Sequence, residues 1–266
     1  MNNRLTEIIN QKHLEVFELQ KILDKHPEHI INALLTGKLV KPINKNFKEA
    51  LSGDTLAVIA EIKRRSPSKG DLAPISDPVA LAQQYVQGNV NAISVLTDKL
   101  FFSGSTEDLQ QVSAALADEP VPVLRKDFII DRLQIAEAVS IGAHAVLLIV
   151  AALGARTAEL LTICQELGLH ALVEVHDEAE LETALHCGAQ IIGVNNRNLT
   201  TFAIDTDQAF RLAEKIPANL IKVAESGIME PKLAREYHAA GFNAVLIGEA
   251  LVKANDPAEF IRNCKI

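Results

Sequence analysis

The sequence predicts an α/β fold in which eight parallel strands, alternating with helices, close into a barrel. Short aliphatic runs recur eight times, at residues 56–62, 92–96, 121–124, 145–150, 171–175, 191–194, 220–224 and 244–247, with helical patterns between them. Eight is the number at which a parallel barrel closes, and 266 residues suit one such domain. Of these residues 48% are hydrophobic but only 4% aromatic, with no Trp. The core must therefore be built from Val, Ile, Leu and Ala, as suits strands buried on both faces. These observations together specify a (β/α)8, or TIM, barrel.

The elements carry their own punctuation. Asp77 followed by Pro78 reads as an N-cap and a first helical position, with Gly88 expected as a left-handed cap at the far end. Ser105 with Asp108, and Asp177 with Glu180, have the spacing of capping boxes. Gly142, Gly188 and Gly241 each end a helix and lead into a strand within a few residues, the short loops of the stability end of a barrel. Residues 51–266 are the expected barrel domain, and residues 1–50 an N-terminal helical extension. Within that extension Leu5, Ile8, Ile9, Val16, Leu19, Ile22 and Leu23 follow a helical period, which predicts a helix packed on the barrel. The pattern leaves its place open: it plugs the bottom or borders the active site.

Composition narrows the function. A net charge of −8 argues against nucleic acid or an anionic membrane surface as partner. The first residues lack the apolar core of a signal peptide, and no window approaches the roughly 18 uninterrupted apolar residues of a membrane span. Cys164, Cys187 and Cys264 are odd in number and far apart, and the eight His are scattered without metal-ligand spacing. A cytoplasmic protein without metal or cofactor is expected, with oligomeric state left open.

Charge then marks the site. A buried aliphatic strand should not end in ionisable groups without a reason, yet most of these do, at the carboxyl ends where barrel enzymes place their chemistry. Glu61 and Lys63 share one face of strand one. Strand three runs into Lys126 and Phe128, and strand five bears Glu174. Strand six leads to Asn195 and Arg197, and strand seven ends at Glu225, Ser226 and Gly227. A structural ion network would explain any one pair, but five strands converging on one rim favour a catalytic set. Desolvated lysines crowded together are expected to lose pKa and become usable acids, beside a carboxylate base.

Ser226-Gly227 and Gly248-Glu249 put glycine where backbone N–H groups approach a ligand, at the usual barrel phosphate position. A side chain at Gly248 is expected to push the phosphate out, chiefly a loss of binding. Residues 64–70, Arg-Arg-Ser-Pro-Ser-Lys-Gly, are either a solvated basic loop or a mobile lid; their place directly after Lys63 favours the lid.

At these residues the chain resembles the indole-3-glycerol-phosphate synthase family. The most specific segment runs from Val58 through Glu61, Lys63 and Ser66 to Gly70, supported by the segments 92–104, 122–128, 172–176, 193–199 and 224–228. The resemblance spans essentially the whole chain. It implies ring closure, decarboxylation and dehydration of 1-(2-carboxyphenylamino)-1-deoxyribulose 5-phosphate, with no metal or cofactor. It assigns Lys126 as the acid of ring closure, Lys63 as a charge partner and candidate acid for dehydration, Glu174 as the base, and Glu61 as its electrostatic partner. It sets Asn195, Arg197 and Glu225 on substrate hydroxyls and acids, and Ser66 on the substrate. Ser226, Gly227, Gly248 and the Glu249 amide fall on the phosphate, with Phe102 and Phe128 as walls for the aromatic ring. Many members of the family carry Ser where Glu249 stands, so the Glu249 carboxylate is expected to turn away. Two rival readings are another phosphate-binding barrel such as phosphoribosylanthranilate isomerase, expected to use an Asp or Cys pair, and a non-catalytic barrel subunit, expected to have lost Lys126 or Glu174.

Overall fold

The structure, a computed structural model, describes residues 4–41, 43–67, 69–199 and 201–265. Eight parallel strands close on themselves: β1 (Ala57–Ile62), β2 (Ala92–Leu96), β3 (Val123–Lys126), β4 (Ala145–Ile149), β5 (His170–Val175), β6 (Ile191–Asn195), β7 (Ile221–Glu225) and β8 (Ala244–Ile247). Closure is made by β1, which pairs with β2 through Ile59↔Ala92 and with β8 through Ala57↔Ala244. This is the TIM barrel that the aliphatic repeats predict. The largest boundary difference is at strand three, which starts at Val123 because Pro122 has no N–H to give a ladder. Lys126 consequently lies within the strand, not after it.

Side chains alternate across each strand, which divides the core in two. Val58, Ala60 and Ile62 face the surrounding helices, while Ala57, Ile59, Leu124, Leu147, Leu172, Val223 and Leu246 fill the barrel. Continued toward the carboxyl ends, the inward parity passes from these aliphatic residues to Glu61, Lys126, Glu174, Asn195 and Glu225. One alternation therefore supplies both packing and chemistry.

Three helices precede β1: α1 (Arg4–Lys25), α2 (Ile30–Leu35) and α3 (Phe47–Ala50). They occupy opposite ends of the barrel, and the question left open by the sequence has a divided answer. The buried Lys12 of α1 bridges Asp98 (2.8 Å) and Asp127 (2.9 Å), just past the ends of β2 and β3, so α1 lies over the mouth. At the bottom Phe47 and Leu51 are buried against the interior, and Asn91 ties Ala50 O (3.1 Å) to the N–H of Val58 (3.1 Å). Lys41 donates to Val139 O and Ser140 O, each 3.1 Å, and Lys45 to Leu116 O, so the N-terminal segment is tied to the carbonyls at the ends of two barrel helices.

Between the barrel strands run α4 (Pro78–Gln87), α5 (Lys99–Phe102), α6 (Thr106–Ala115), α7 (Arg132–Ser140), α8 (Val150–Leu153), α9 (Thr157–Glu166), α10 (Glu178–His186), α11 (Asp207–Ala213) and α12 (Pro231–Ala239), followed by α13 (Glu249–Lys253) and α14 (Pro257–Cys264). Asp77 caps α4 as expected. Gly88 does not take a left-handed conformation: its φ is −80°, and Asn89 carries the positive φ of 59°. Ser105 caps α6, but Asp108 turns to Arg64 rather than completing a box. A complete capping box forms at Asp131 and Gln134.

Candidate active site

Every site residue expected from the sequence, from Glu61 on β1 to Glu249 on α13, lines one cavity at the mouth. Leu5 and Ile8 of α1 line it as well, together with Leu147, Ile149 and Met229, which the charge-led reading missed. The apolar face of α1 was the signal for the first two; inward parity on β4 was the signal for Leu147 and Ile149.

At the floor, the Lys126 ammonium lies 3.2 Å from Glu225 Oε2 and 3.4 Å from Glu174 Oε2. Both carboxylates are buried. Burial disfavours the charge on Lys126, but Glu225, Glu174 and Glu61 outweigh it and hold its pKa above the ordinary lysine value. The expectation that crowding lowers this lysine's pKa is thus reversed, because its neighbours at contact distance are carboxylates. Two carboxylates on one ammonium cannot both be stabilised equally. Burial, followed by the charge of Glu174, raises Glu225 to about 7 despite Lys126. Glu174 goes the other way: Lys126, His176 and Asn195 overcome the burial cost and lower it.

Gly193 makes room for this arrangement. A Cβ there would stand 2.1 Å from Glu225 Oε1, so no other residue lets that carboxylate lie against β6. On the β1 side Lys63 Nζ is 2.5 Å from Glu61 Oε1. A Cβ on Gly248 would come within 2.5 Å of Glu61 Oε1 and 3.0 Å of Lys63 Nζ. The sequence reading tied Gly248 to phosphate alone; the structure also ties it to this ion pair, so a substitution there disturbs both.

The rim is built from turns. Ser226 (φ 67°) and Gly227 (φ 82°) are consecutive left-handed residues, and Gly248 caps α13 across from them. The Glu249 carboxylate is held by Lys69 and Lys253, each at 2.8 Å. Lys69 belongs to the loop after β1, where Arg65–Ser66 pairs antiparallel with Gly70–Asp71 in a small hairpin; Ser68 lies outside the described residues. Arg197 reaches back to Phe202 O (3.4 Å), and burial lowers its pKa against the pull of Glu249 and Glu61. Phe102 and Phe128 stand 6.1 Å apart, tilted by 40°, and form an apolar wall. Among the described residues no cluster of His, Cys, Asp and Glu has the geometry of a metal site, and no helix is long and apolar enough to cross a membrane.

A parallel barrel with buried lysine–carboxylate pairs at the carboxyl ends of its strands defines an acid–base enzyme of the TIM-barrel class. Over residues 5–264 the sequence matches the family described as "Indole-3-glycerol phosphate synthase". It is 45% identical over 254 residues to the protein of that name from Chlorobium chlorochromatii (93% of this chain, 94% of that one). It is 43% identical over 247 residues to the one from Exiguobacterium sibiricum (91% and 95%). The chain belongs to the indole-3-glycerol phosphate synthase family. Among solved structures, 3-hexulose-6-phosphate synthase from Salmonella typhimurium superposes with a TM-score of 0.63 at 15% identity, covering 79% of this chain and 96% of that one, a likeness of fold alone.

Proposed function

We propose that the chain carries out the reaction of its family on 1-(2-carboxyphenylamino)-1-deoxyribulose 5-phosphate, with the mouth residues in the roles their geometry favours. The aryl carbon that bears the carboxylate attacks the ribulose carbonyl, and Lys126 protonates the carbonyl oxygen as the bond forms. Loss of carbon dioxide returns the electron pair to the ring. Lys63, paired with Glu61, gives the proton with which the new hydroxyl leaves as water. Glu174 removes the proton from the adjacent carbon, and the indole is complete. Asn195, Arg197 and Glu225 hold the hydroxyls and the acids, Phe102 and Phe128 flank the aromatic ring, and Ser66 contacts the substrate. Ser226, Gly227, Gly248 and the Glu249 amide receive the phosphate. Each proton transfer has a side chain to serve it, so the reading invokes no cofactor. Residues 51–266 are read as the catalytic domain, with the N-terminal helices as its cover, in a cytoplasmic protein.

The observation that carries the reading is the Lys126 ammonium held between Glu174 and Glu225 on the floor of a cavity with an apolar wall on one side and a glycine-bearing rim on another. It sets a proton donor and a carboxylate side by side, 3.4 Å apart, where both can reach one bound substrate. The test is incubation with the carboxyphenylamino-deoxyribulose phosphate, followed by indole fluorescence. Turnover by the parent and its loss in Lys126→Ala are expected. Parent protein that binds the substrate without forming indole would end the reading.

A further inference from the structure

One partly buried titratable group at the mouth has no part in this scheme. His176 follows β5 two residues after Glu174, so the two side chains share a face. Its Nε2 stands 3.4 Å from Glu174 Oε1, and neither atom makes a hydrogen bond among the described residues. On its other side Nδ1 is 2.9 Å from Glu180 Oε2, which also accepts from the backbone N–H of His176 at 2.7 Å. Glu180 was expected to close a capping box on Asp177. Asp177 does cap α10 through the N–H of Glu180, but the Glu180 carboxylate is spent on His176 instead.

The protonation follows from the partners. A carboxylate only accepts, so Nδ1 carries a hydrogen toward Glu180. If the ring were neutral, Nε2 would then present a lone pair to the Glu174 carboxylate, two acceptors face to face in a buried site. A proton on Nε2 removes the conflict and makes the pair charge-assisted. Glu174 and Glu180 lie on its own segment, Glu225 faces it from β7, and Lys126 of β3 sits beyond Glu174. Burial disfavours the imidazolium, yet Glu180, Glu174 and Glu225 outweigh it and raise the His176 pKa.

We propose that His176 is a positioning residue for Glu174: gripped by Glu180, its imidazolium donates from Nε2 to Glu174 Oε1 and turns Oε2, on the Lys126 side, toward the substrate proton it takes during dehydration. The inference rests on the reading of Glu174 as the base. It predicts that dehydration needs the charged ring, so its rate falls as pH rises through the elevated His176 pKa. Glu180→Gln keeps the acceptor for Nδ1 but removes one of the charges that raise this pKa. The alkaline limb should move down by about one pH unit, with the rate on its acid side preserved.

The experiment is single-turnover kinetics resolved into ring closure and dehydration across pH. His176→Gln retains a donor that cannot titrate, so it should keep most of the rate and lose the limb. His176→Leu removes the donor and should slow dehydration roughly tenfold or more while sparing ring closure. A dehydration profile unchanged from the parent in both Glu180→Gln and His176→Gln would overturn the proposal. So would equal slowing of both steps in His176→Leu that follows a fall in melting temperature. Glu174→Gln separates the two levels of argument. If it slows dehydration while the His176 variants leave the profile unmoved, only the positioning role fails. If it leaves dehydration unaffected, the base assignment fails and the positioning role with it.

Discussion

The two ends of the barrel are made from the same strands and treat buried polar groups in opposite ways. At the bottom four buried or half-buried side chains bond to backbone. Lys41 and Lys45 cap carbonyls, Asn91 spans a carbonyl and an N–H, and His144 Nδ1 accepts from the N–H of Val123 at 3.1 Å. Burial, with Lys45 and Lys41 nearby, lowers His144 to about 4, so it is neutral in use. At the mouth, both carboxylate oxygens of Glu225 and one of Glu174 lack hydrogen bonds, and Glu225 is raised to about 7. The bottom neutralises its buried histidine and ties it to backbone, whereas the mouth packs charged side chains against one another. That difference identifies the working end without reference to any relative.

The largest expected effect comes from removing the mouth's acid. Lys126→Ala should lower turnover on the order of 10² to 10⁴, the usual range for one general acid, and also lower the melting temperature, because Glu174 and Glu225 lose the cation between them. Near-parental turnover at a temperature where the variant is folded would make Lys126 a structural ion and break the comparison.

The next tests sharpen it through pH. His144 has a folded pKa below its unfolded value, so the unfolded chain binds more protons between them. Its contribution to stability is complete above about 6.5 and is lost as pH falls toward about 4, up to about 3 kcal/mol. His144→Asn, which keeps an acceptor for Val123, should flatten this dependence in urea titrations run from pH 4 to 7. Glu225 is the reverse: its folded pKa is raised, so stability is greatest below about 4.5 and declines as pH rises through about 7. Glu225→Gln should therefore gain on the order of 1 to 2 kcal/mol at pH 8, part of the relief being cancelled by the loss of a partner for Lys126. The same variant should lack the fall in kcat/KM expected of the parent as Glu225 ionises beside an anionic substrate. Parallel pH dependences in the two variants would erase the contrast between the ends.

Smaller effects probe the rim. Gly248→Ala should lower kcat as well as raise KM, because its methyl group meets Glu61 and Lys63; a pure KM effect would restore the phosphate-only assignment. Glu249→Ser should change kcat/KM by no more than a few fold, since only the amide is assigned to phosphate and Lys69 loses a partial, half-exposed pairing.

Much of this was legible in the amino acids. The eight aliphatic runs and the parity of Glu61 with Lys63 depend on periodicities that survive in the linear sequence. Pairings across the barrel do not survive in that form. Lys12 reads as a surface residue of an amphipathic helix, and only the fold brings Asp98 and Asp127 to it. The direction of the Lys126 shift is hidden for the same reason: the sequence shows two lysines near two glutamates but not which atoms touch. Gly88 was assigned a left-handed φ that Asn89 takes, an ambiguity of one residue that helix periodicity cannot resolve.

The placement of α1 and α3 has a consequence for how the molecule comes into being. Lys12 must wait for Asp98 and Asp127, Lys41 for Val139, and Lys48 for Gln190, 3.0 Å from it in the finished fold. At synthesis rates of roughly 5–20 residues per second, the segment that emerges early stays without these partners for on the order of ten seconds. Throughout that interval Leu5, Ile8 and Phe47 have no barrel to cover, and Lys12 has no cage. The first helices made wait for strands made later, so a nascent chain halted before β6 still exposes the apolar residues meant to cover both ends of the closed barrel.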